Sequence, residues 1–188
     1  MTSLAVLVSG TGTILEAMLK TDLEVSLVLA DRPCRGLQIA AAAGVPAALL
    51  KRSSYGADFD RVGYSRELVN TLECHGITLI AMAGFMTILG MPVFERYEGN
   101  IINTHPSLLP DFRGEHAVRD TLAAGAKLSG CTIHIATIAL DDGPILAQES
   151  VPVYEGDTVD TLQERIKQVE RRLYPATIVK LMKKATQV

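Results

Sequence analysis

At 188 residues, with 48% apolar and 21% charged side chains, the chain has the size of one domain with a sizeable core and is too apolar to stay disordered. A formal net charge of −3 leaves no electrostatic footprint for a nucleic acid or an anionic membrane surface. Cys34, Cys74 and Cys131 are odd in number and fall in no ligand spacing, which predicts free thiols in a reducing compartment rather than a zinc site or a disulfide framework. Met1-Thr2-Ser3 leads straight into a strand-like run without a basic segment or a cleavage site, and no apolar stretch is long enough to span a bilayer. A cytoplasmic protein is expected.

In chain order, Leu4–Val8 is a short unbroken apolar run closed by Ser9-Gly10-Thr11-Gly12 and predicts a first strand. Helical spacing follows over Ile14–Leu19. Val25–Ala30 predicts a second buried strand, ended by Asp31-Arg32-Pro33. Leu37–Ala43 is alanine-rich and helical, and Gly44 and Pro46 stop it before a third short strand over Ala47–Leu50. Between Asp58 and Cys74, the positions Phe59, Val62, Leu68, Val69 and Leu72 share one helical face. Ile77–Ala83 and Ile101–Thr104 predict the fourth and fifth strands. Thr132–Ala136 alternates and runs on into Ile138, and Ile145–Val153 predicts a final pair of strands. Thr158–Lys184 closes the chain as one long helix, or as two broken at Pro175.

Short apolar strands alternating with helices predict βαβ units, and strands that read as continuous apolar runs are those buried on both faces. The expected architecture is a single-domain α/β fold over residues 1–188, Rossmann-like, with a mostly parallel twisted sheet and helices on both faces. Ligands bind beyond the carboxyl ends of the strands in such sheets. Ser9–Gly12, Ala83-Gly84-Phe85 and Asn103–His105 all stand at such ends and can line one crevice.

Three of these segments carry chemistry. Asn103-Thr104-His105-Pro106-Ser107-Leu108-Leu109-Pro110 places a carboxamide and an imidazole two residues apart at a strand tip, hence on one face. Pro106 keeps His105 extended and ends the strand. That is either a plain proline turn or an oxyanion donor beside a proton carrier. Ser9-Gly10-Thr11-Gly12-Thr13 is a tight turn or an anion cradle of backbone N–H groups at a helix start. Its G-x-G-x-x-L pattern puts Leu15 where a dinucleotide fingerprint has glycine, although Asp31 stands near the ribose-binding distance. Leu140-Asp141-Asp142-Gly143-Pro144 is a solvated acidic turn or the source of a carboxylate that polarises His105. No serine occupies a strand-to-helix elbow, so attack by a bound substrate's own nucleophile on a carbonyl is favoured over a covalent acyl-enzyme. His75 is expected at the surface, His116 within reach of the crevice, and His134 on a strand with no assigned part.

Asn-Thr before HPSLLP, Ala-Gly-Phe-Met-x-Ile-Leu over Ala83–Leu89, and Asp-x-Gly-Pro-Ile over Asp141–Ile145 resemble the 10-formyltetrahydrofolate-dependent formyltransferases, in order and from Leu4 to about Pro175. The chain is most similar to the branch that formylates the amine of glycinamide ribonucleotide in purine synthesis. The resemblance implies a one-carbon transferase with 10-formyltetrahydrofolate as co-substrate, no metal, small-molecule substrates and a monomer or homodimer. It implies Asn103 as oxyanion donor, His105 as proton carrier between the amine and folate N10, and Asp141 as the partner of His105. Gly12, Thr13 and Ile14 would bind the ribonucleotide phosphate, with Lys167 and Glu170 at the ribose or glycinamide. Met86, Thr87, Ile88 and Leu89 would clasp the pterin with Asn103 beside them, and Arg61 would lie near the folate tail.

Three positions depart from that pattern. Thr13-Ile14 stands where the phosphate loop more often has Ser-Asn, Thr87 where arginine is frequent, and Arg113-Gly114 where Pro-Gly is frequent. Arg-Gly is commoner in relatives acting on aminoacyl-tRNA or sugar nucleotides, so an amino-sugar nucleotide acceptor stays open. A dinucleotide-dependent oxidoreductase is the alternative from another class.

Overall fold

The computed structural model describes residues 2–185; Met1 and residues 186–188, which the expected 1–188 domain includes, lie outside the described residues. The elements follow the order β1 (Leu4–Val8), α1 (Thr13–Leu19), β2 (Val25–Ala30), α2 (Arg35–Ala42), β3 (Ala47–Leu49), α3 (Arg61–Cys74), β4 (Leu79–Met82), α4 (Met91–Arg96), β5 (Ile101–His105), α5 (Ala117–Ala123), β6 (Leu128–Ile135), β7 (Ile145–Pro152) and α6 (Val159–Ala185). The strands form one sheet in the order β3-β2-β1-β4-β5-β6-β7. Pairing is parallel from β3 to β5 and antiparallel from β5 to β7, so the sheet is mostly parallel, as expected.

Strand alternation builds two cores from one sheet. Leu4, Val6 and Val8 pack against α1, α2, α5 and α6, whereas Ala5 and Leu7 pack with Leu68 and Leu72 of α3 and Val93 of α4. Every residue of β1 is buried, which explains its unbroken apolar run. The chain winds outward from β1 to β3, then returns to lay β4 on the other side of β1. That reversal opens a crevice at the carboxyl ends of β1 and β4, where Ser9 N donates to Gly84 O at 3.2 Å.

Several elements differ from expectation. Ile145–Pro152 is one strand, paired along its length with β6, rather than two. Nothing in it turns the chain, and its exposed positions are those of an edge strand. β6 begins four residues before Thr132, because Leu128–Cys131 pairs with Glu149–Pro152. The closing helix runs through Pro175 without dividing. The short helices α4 and α5 have no counterpart in the sequence reading.

Candidate active site

The tip of β5 is where the two halves of the sheet meet, and its register decides which side chains meet there. Asn103 lies opposite His134 of antiparallel β6, and His105 lies opposite Thr132. Asn103 Nδ2 stands 3.2 Å from His134 Nε2. His134 Nδ1 lies 3.0 Å from Ile135 O, which can only accept, so Nδ1 carries the proton and Nε2 accepts from the Asn103 amide. That fixes the orientation of the carboxamide and leaves its second N–H for a ligand. Burial holds the His134 ring below the usual histidine range, against smaller opposing pulls from Ile135 O and Asp141.

Asp141 joins these residues from the turn after β6. Its Oδ2 is 3.3 Å from His105 Nδ1 and its Oδ1 is 3.6 Å from His134 Nε2. Its φ of +51° is left-handed, which an aspartate tolerates better than most residues. Gly143 follows closely because a Cβ there would lie 1.8 Å from Ile135 O. His105 Nε2 donates to Phe112 O at 2.8 Å, so the ring bridges a carboxylate and a carbonyl. His105 and Asp141 are only 4% and 7% exposed, with the 111–114 segment drawn over them.

The departure at Arg113-Gly114 acquires a local explanation. Gly114 N donates to Asp141 Oδ2 at 2.9 Å and Arg113 pairs with Asp142 at 2.5 Å. Both residues tie the segment to the acidic turn. The turn after β5 is held separately. Thr132 Oγ1 donates to Ser107 O at 2.6 Å and accepts from Leu109 N at 3.1 Å, while Gln148 Nε2 donates to Leu109 O at 2.9 Å.

Thr104, between the pair, turns to the opposite face. Its hydroxyl donates to Glu170 Oε1 at 2.8 Å, which brings α6 to the β5 tip. Burial raises the Glu170 carboxyl above its usual range, while Thr104, Lys167 and Arg171 pull it back. Lys167 precedes Glu170 by one turn of α6. Cys131 lies beside Thr104 at 3.5 Å, and burial pushes its thiol up to about 12, so it is inert.

At the end of β1, Gly12 caps α1 with a φ of +71°. A Cβ there would meet Ile39 Cδ1 at 2.7 Å and Gly36 Cα at 3.0 Å, so glycine is required by both backbone and space. Ile14 points into the core, leaving the backbone of Gly12–Ile14 as the surface offered to a ligand. Beyond β4, the 83–90 segment alternates. Met86 and Ile88 are 64% and 55% exposed, whereas Thr87 and Leu89 are 2% and 4% exposed. The Arg61 carbonyl and stem abut Gly90 at the end of that segment.

Asp31 is fully buried and held by Arg32 and Thr87, so it has no free oxygen for a ribose hydroxyl. This removes the feature that kept a dinucleotide open. His116 is exposed beside Glu115 and does not join the cluster, and His75 is exposed after α3. His134, left without a part by the sequence, is central. Only the antiparallel register against Asn103 reveals it.

The description "Formyl transferase" fits residues 2–178. Over 183 residues the chain is 42% identical to a phosphoribosylglycinamide formyltransferase of Mycobacterium tuberculosis, covering 95% of this chain and 84% of that one. It is 41% identical to the trifunctional purine biosynthetic protein adenosine-3 of Gallus gallus, covering 98% of this chain but only 19% of that much longer one. The crystal structure of a phosphoribosylglycinamide formyltransferase from Bacillus halodurans superposes with a TM-score of 0.89 at 37% identity, over 97% of this chain and 96% of the other.

Proposed function

The chain belongs to the formyl transferase family, and from that footing we propose that it transfers a formyl group from 10-formyltetrahydrofolate to the amine of glycinamide ribonucleotide, in purine biosynthesis. The observation that carries the reading is the meeting of Asn103, His105 and Asp141 at one strand tip, with His105 Nδ1 3.3 Å from the Asp141 carboxylate. On the same footing we read it as a single cytoplasmic domain, a monomer or homodimer. No described helix is long and apolar enough to cross a membrane.

The substrate amine attacks the formyl carbon, and the formyl oxygen becomes an oxyanion. The free N–H of the Asn103 carboxamide, oriented by His134, donates to that oxygen. As the bond from carbon to folate N10 breaks, N10 needs the proton that the attacking nitrogen must lose. His105 carries it at Nε2, which gives up the Phe112 carbonyl to reach the substrate, while Asp141 holds the ring from the Nδ1 side. No covalent enzyme intermediate is required.

The ribonucleotide phosphate sits on the backbone of Gly12, Thr13 and Ile14 at the start of α1. Because the peptide groups bind it, the identities of Thr13 and Ile14 matter little. Lys167 and Glu170 of α6 face the rest of that substrate beside Thr104. The donor's pterin lies along Met86–Leu89, with Met86 and Ile88 as apolar walls and the peptide groups of Thr87, Ile88 and Leu89 as donors and acceptors. Arg61, at the end of that segment, meets the donor's anionic tail.

A formyl-transfer assay with purified protein, 10-formyltetrahydrofolate and a panel of amines led by glycinamide ribonucleotide tests this. Turnover confined to glycinamide ribonucleotide is expected. Preference for an amino-sugar nucleotide, or no transfer to any amine, would refute it.

A further inference from the structure

Asp31 is a fully buried carboxylate at the carboxyl end of β2, outside the group of residues that act on the formyl carbon. Arg32 grips it with two hydrogen bonds, Nε to Oδ1 at 3.0 Å and Nη2 to Oδ2 at 2.9 Å. The Thr87 hydroxyl adds a third, to Oδ2 at 2.7 Å. The Oγ of Ser9, which opens the phosphate loop, accepts from Met86 N at 2.8 Å. Through Thr87 this carboxylate ties the tip of β2 to the segment after β4, and Ser9 ties the tip of β1 to the same segment.

That segment has little else to fix it. Residues 83–90 form neither helix nor strand. Among the described residues, the N–H groups of Thr87, Ile88 and Leu89 make no hydrogen bond, while the flanking Met86 N and Gly90 N are held by Ser9 Oγ and Ser65 Oγ. The unpaired peptide groups and the exposed Met86 and Ile88 are what a flat heteroaromatic ligand would meet. Their orientation rests on the side chain between them being pinned inward.

We infer that Asp31 is a positioning residue for the formyl donor: through Thr87 it holds the 86–89 backbone in the arrangement that receives the pterin ring. The inference rests on the reading of this site as a folate site. It also explains the absence of the frequent arginine at position 87. A short hydroxyl there reaches a carboxylate already neutralised by Arg32, whereas a guanidinium would compete with Arg32 for the same oxygens.

The test is equilibrium binding of 10-formylfolate, a stable oxidised form of the donor, to the full chain and to Thr87→Val, Thr87→Ser, Asp31→Asn and the Thr87→Val/Asp31→Asn double variant. Thr87→Val keeps the shape and removes the hydrogen bond. It should weaken binding about tenfold, the scale of one hydrogen bond to a charged group. Thr87→Ser should recover the affinity, and the double variant should bind no worse than the weaker single variant. Parent-like binding by Thr87→Val, failure of Thr87→Ser to recover, or strictly additive losses would overturn the inference. Asp31→Asn alone risks poor folding, so the threonine pair decides the matter if its melting temperature collapses. A parent chain that does not bind 10-formylfolate would overturn the folate reading itself and the inference with it. Parent binding with an unaffected Thr87→Val overturns the inference only.

Discussion

Asp141 Oδ2 lies 3.3 Å from His105 Nδ1, although His105 is the last residue of β5 and Asp141 lies in the turn after the antiparallel strand β6. His105 ends a strand of the parallel half, and Asp141 follows the first antiparallel strand. Antiparallel β6 ends beside the start of β5, with Ile135 opposite Ile102 and Ala136 N donating to Ile101 O, so the acidic turn reaches His105 only by doubling back towards the tip of β5.

Removing either reacting group should leave a folded but nearly inactive protein. Asn103→Ala should lower kcat by about 10²–10³, the usual loss for one oxyanion donor. His105→Ala should lower it by about 10²–10⁴, the range for a positioned proton carrier. Steady-state assays beside circular dichroism check both, and near-parental turnover in either variant would remove that residue from the mechanism.

The buried His134 ring makes stability depend on pH with a definite sign. Its folded pKa lies below the ordinary 6.5, so on acidification the unfolded chain takes up this proton before the folded one does. The contribution is intact above that ordinary value and is lost as pH falls towards the depressed folded value. Melting temperatures between about pH 7 and 5 should fall less steeply for His134→Gln than for the parent. Equal slopes would show that this ring does not carry the effect.

Glu170 should show the opposite sign. Its folded pKa is raised above the ordinary 4.5, so stability is lost as pH rises through the folded value and the carboxylate ionises beside Thr104. Glu170→Gln should melt higher than the parent at pH 7, and the gain should vanish near pH 4. The same variant should raise KM for the ribonucleotide if this carboxylate meets it. A stabilised variant with unchanged KM would leave Glu170 a structural residue.

Gly12→Ala combines a strained backbone with a collision. At a φ of +71°, with Ile39 Cδ1 at 2.7 Å and Gly36 Cα at 3.0 Å from the new carbon, it should cost about 1–3 kcal/mol of stability. Chemical denaturation measures this. A loss below about 0.5 kcal/mol would mean that the loop relaxes freely, which a cradle set by its backbone cannot do.

Where a single local rule governs, the sequence could be read directly. β1 and β2 follow from apolar runs that only a strand buried on both faces produces, and α3 from Leu68, Val69 and Leu72, although Val62 of the expected stripe is exposed, Phe59 precedes the helix and the buried face takes in Tyr64 and Ser65. Helix α4 escaped because it has six residues, and Pro92, normally a sign of interruption, sits in its first turn, where a missing N–H costs nothing. At the site, Asn103, His105 and Asp141 were legible as chemical types in a known order. His134 was not, because its part depends on lying opposite Asn103 across an antiparallel pair, a fact of register with no local signature. The bond between Asp31 and Thr87 was hidden for the same reason, since it joins strand ends that only the folded order of the sheet brings together.

The alternation within β5 has one more consequence. Asn103 and His105 face Asp141, while Thr104 faces Glu170, so the strand's tip serves two compartments with consecutive residues. Deleting one residue between Ile101 and Asn103 would exchange them, sending carboxamide and imidazole towards α6 and a lone hydroxyl towards the acidic turn. In this short stretch of chain, parity rather than composition separates a working catalyst from an inert fold.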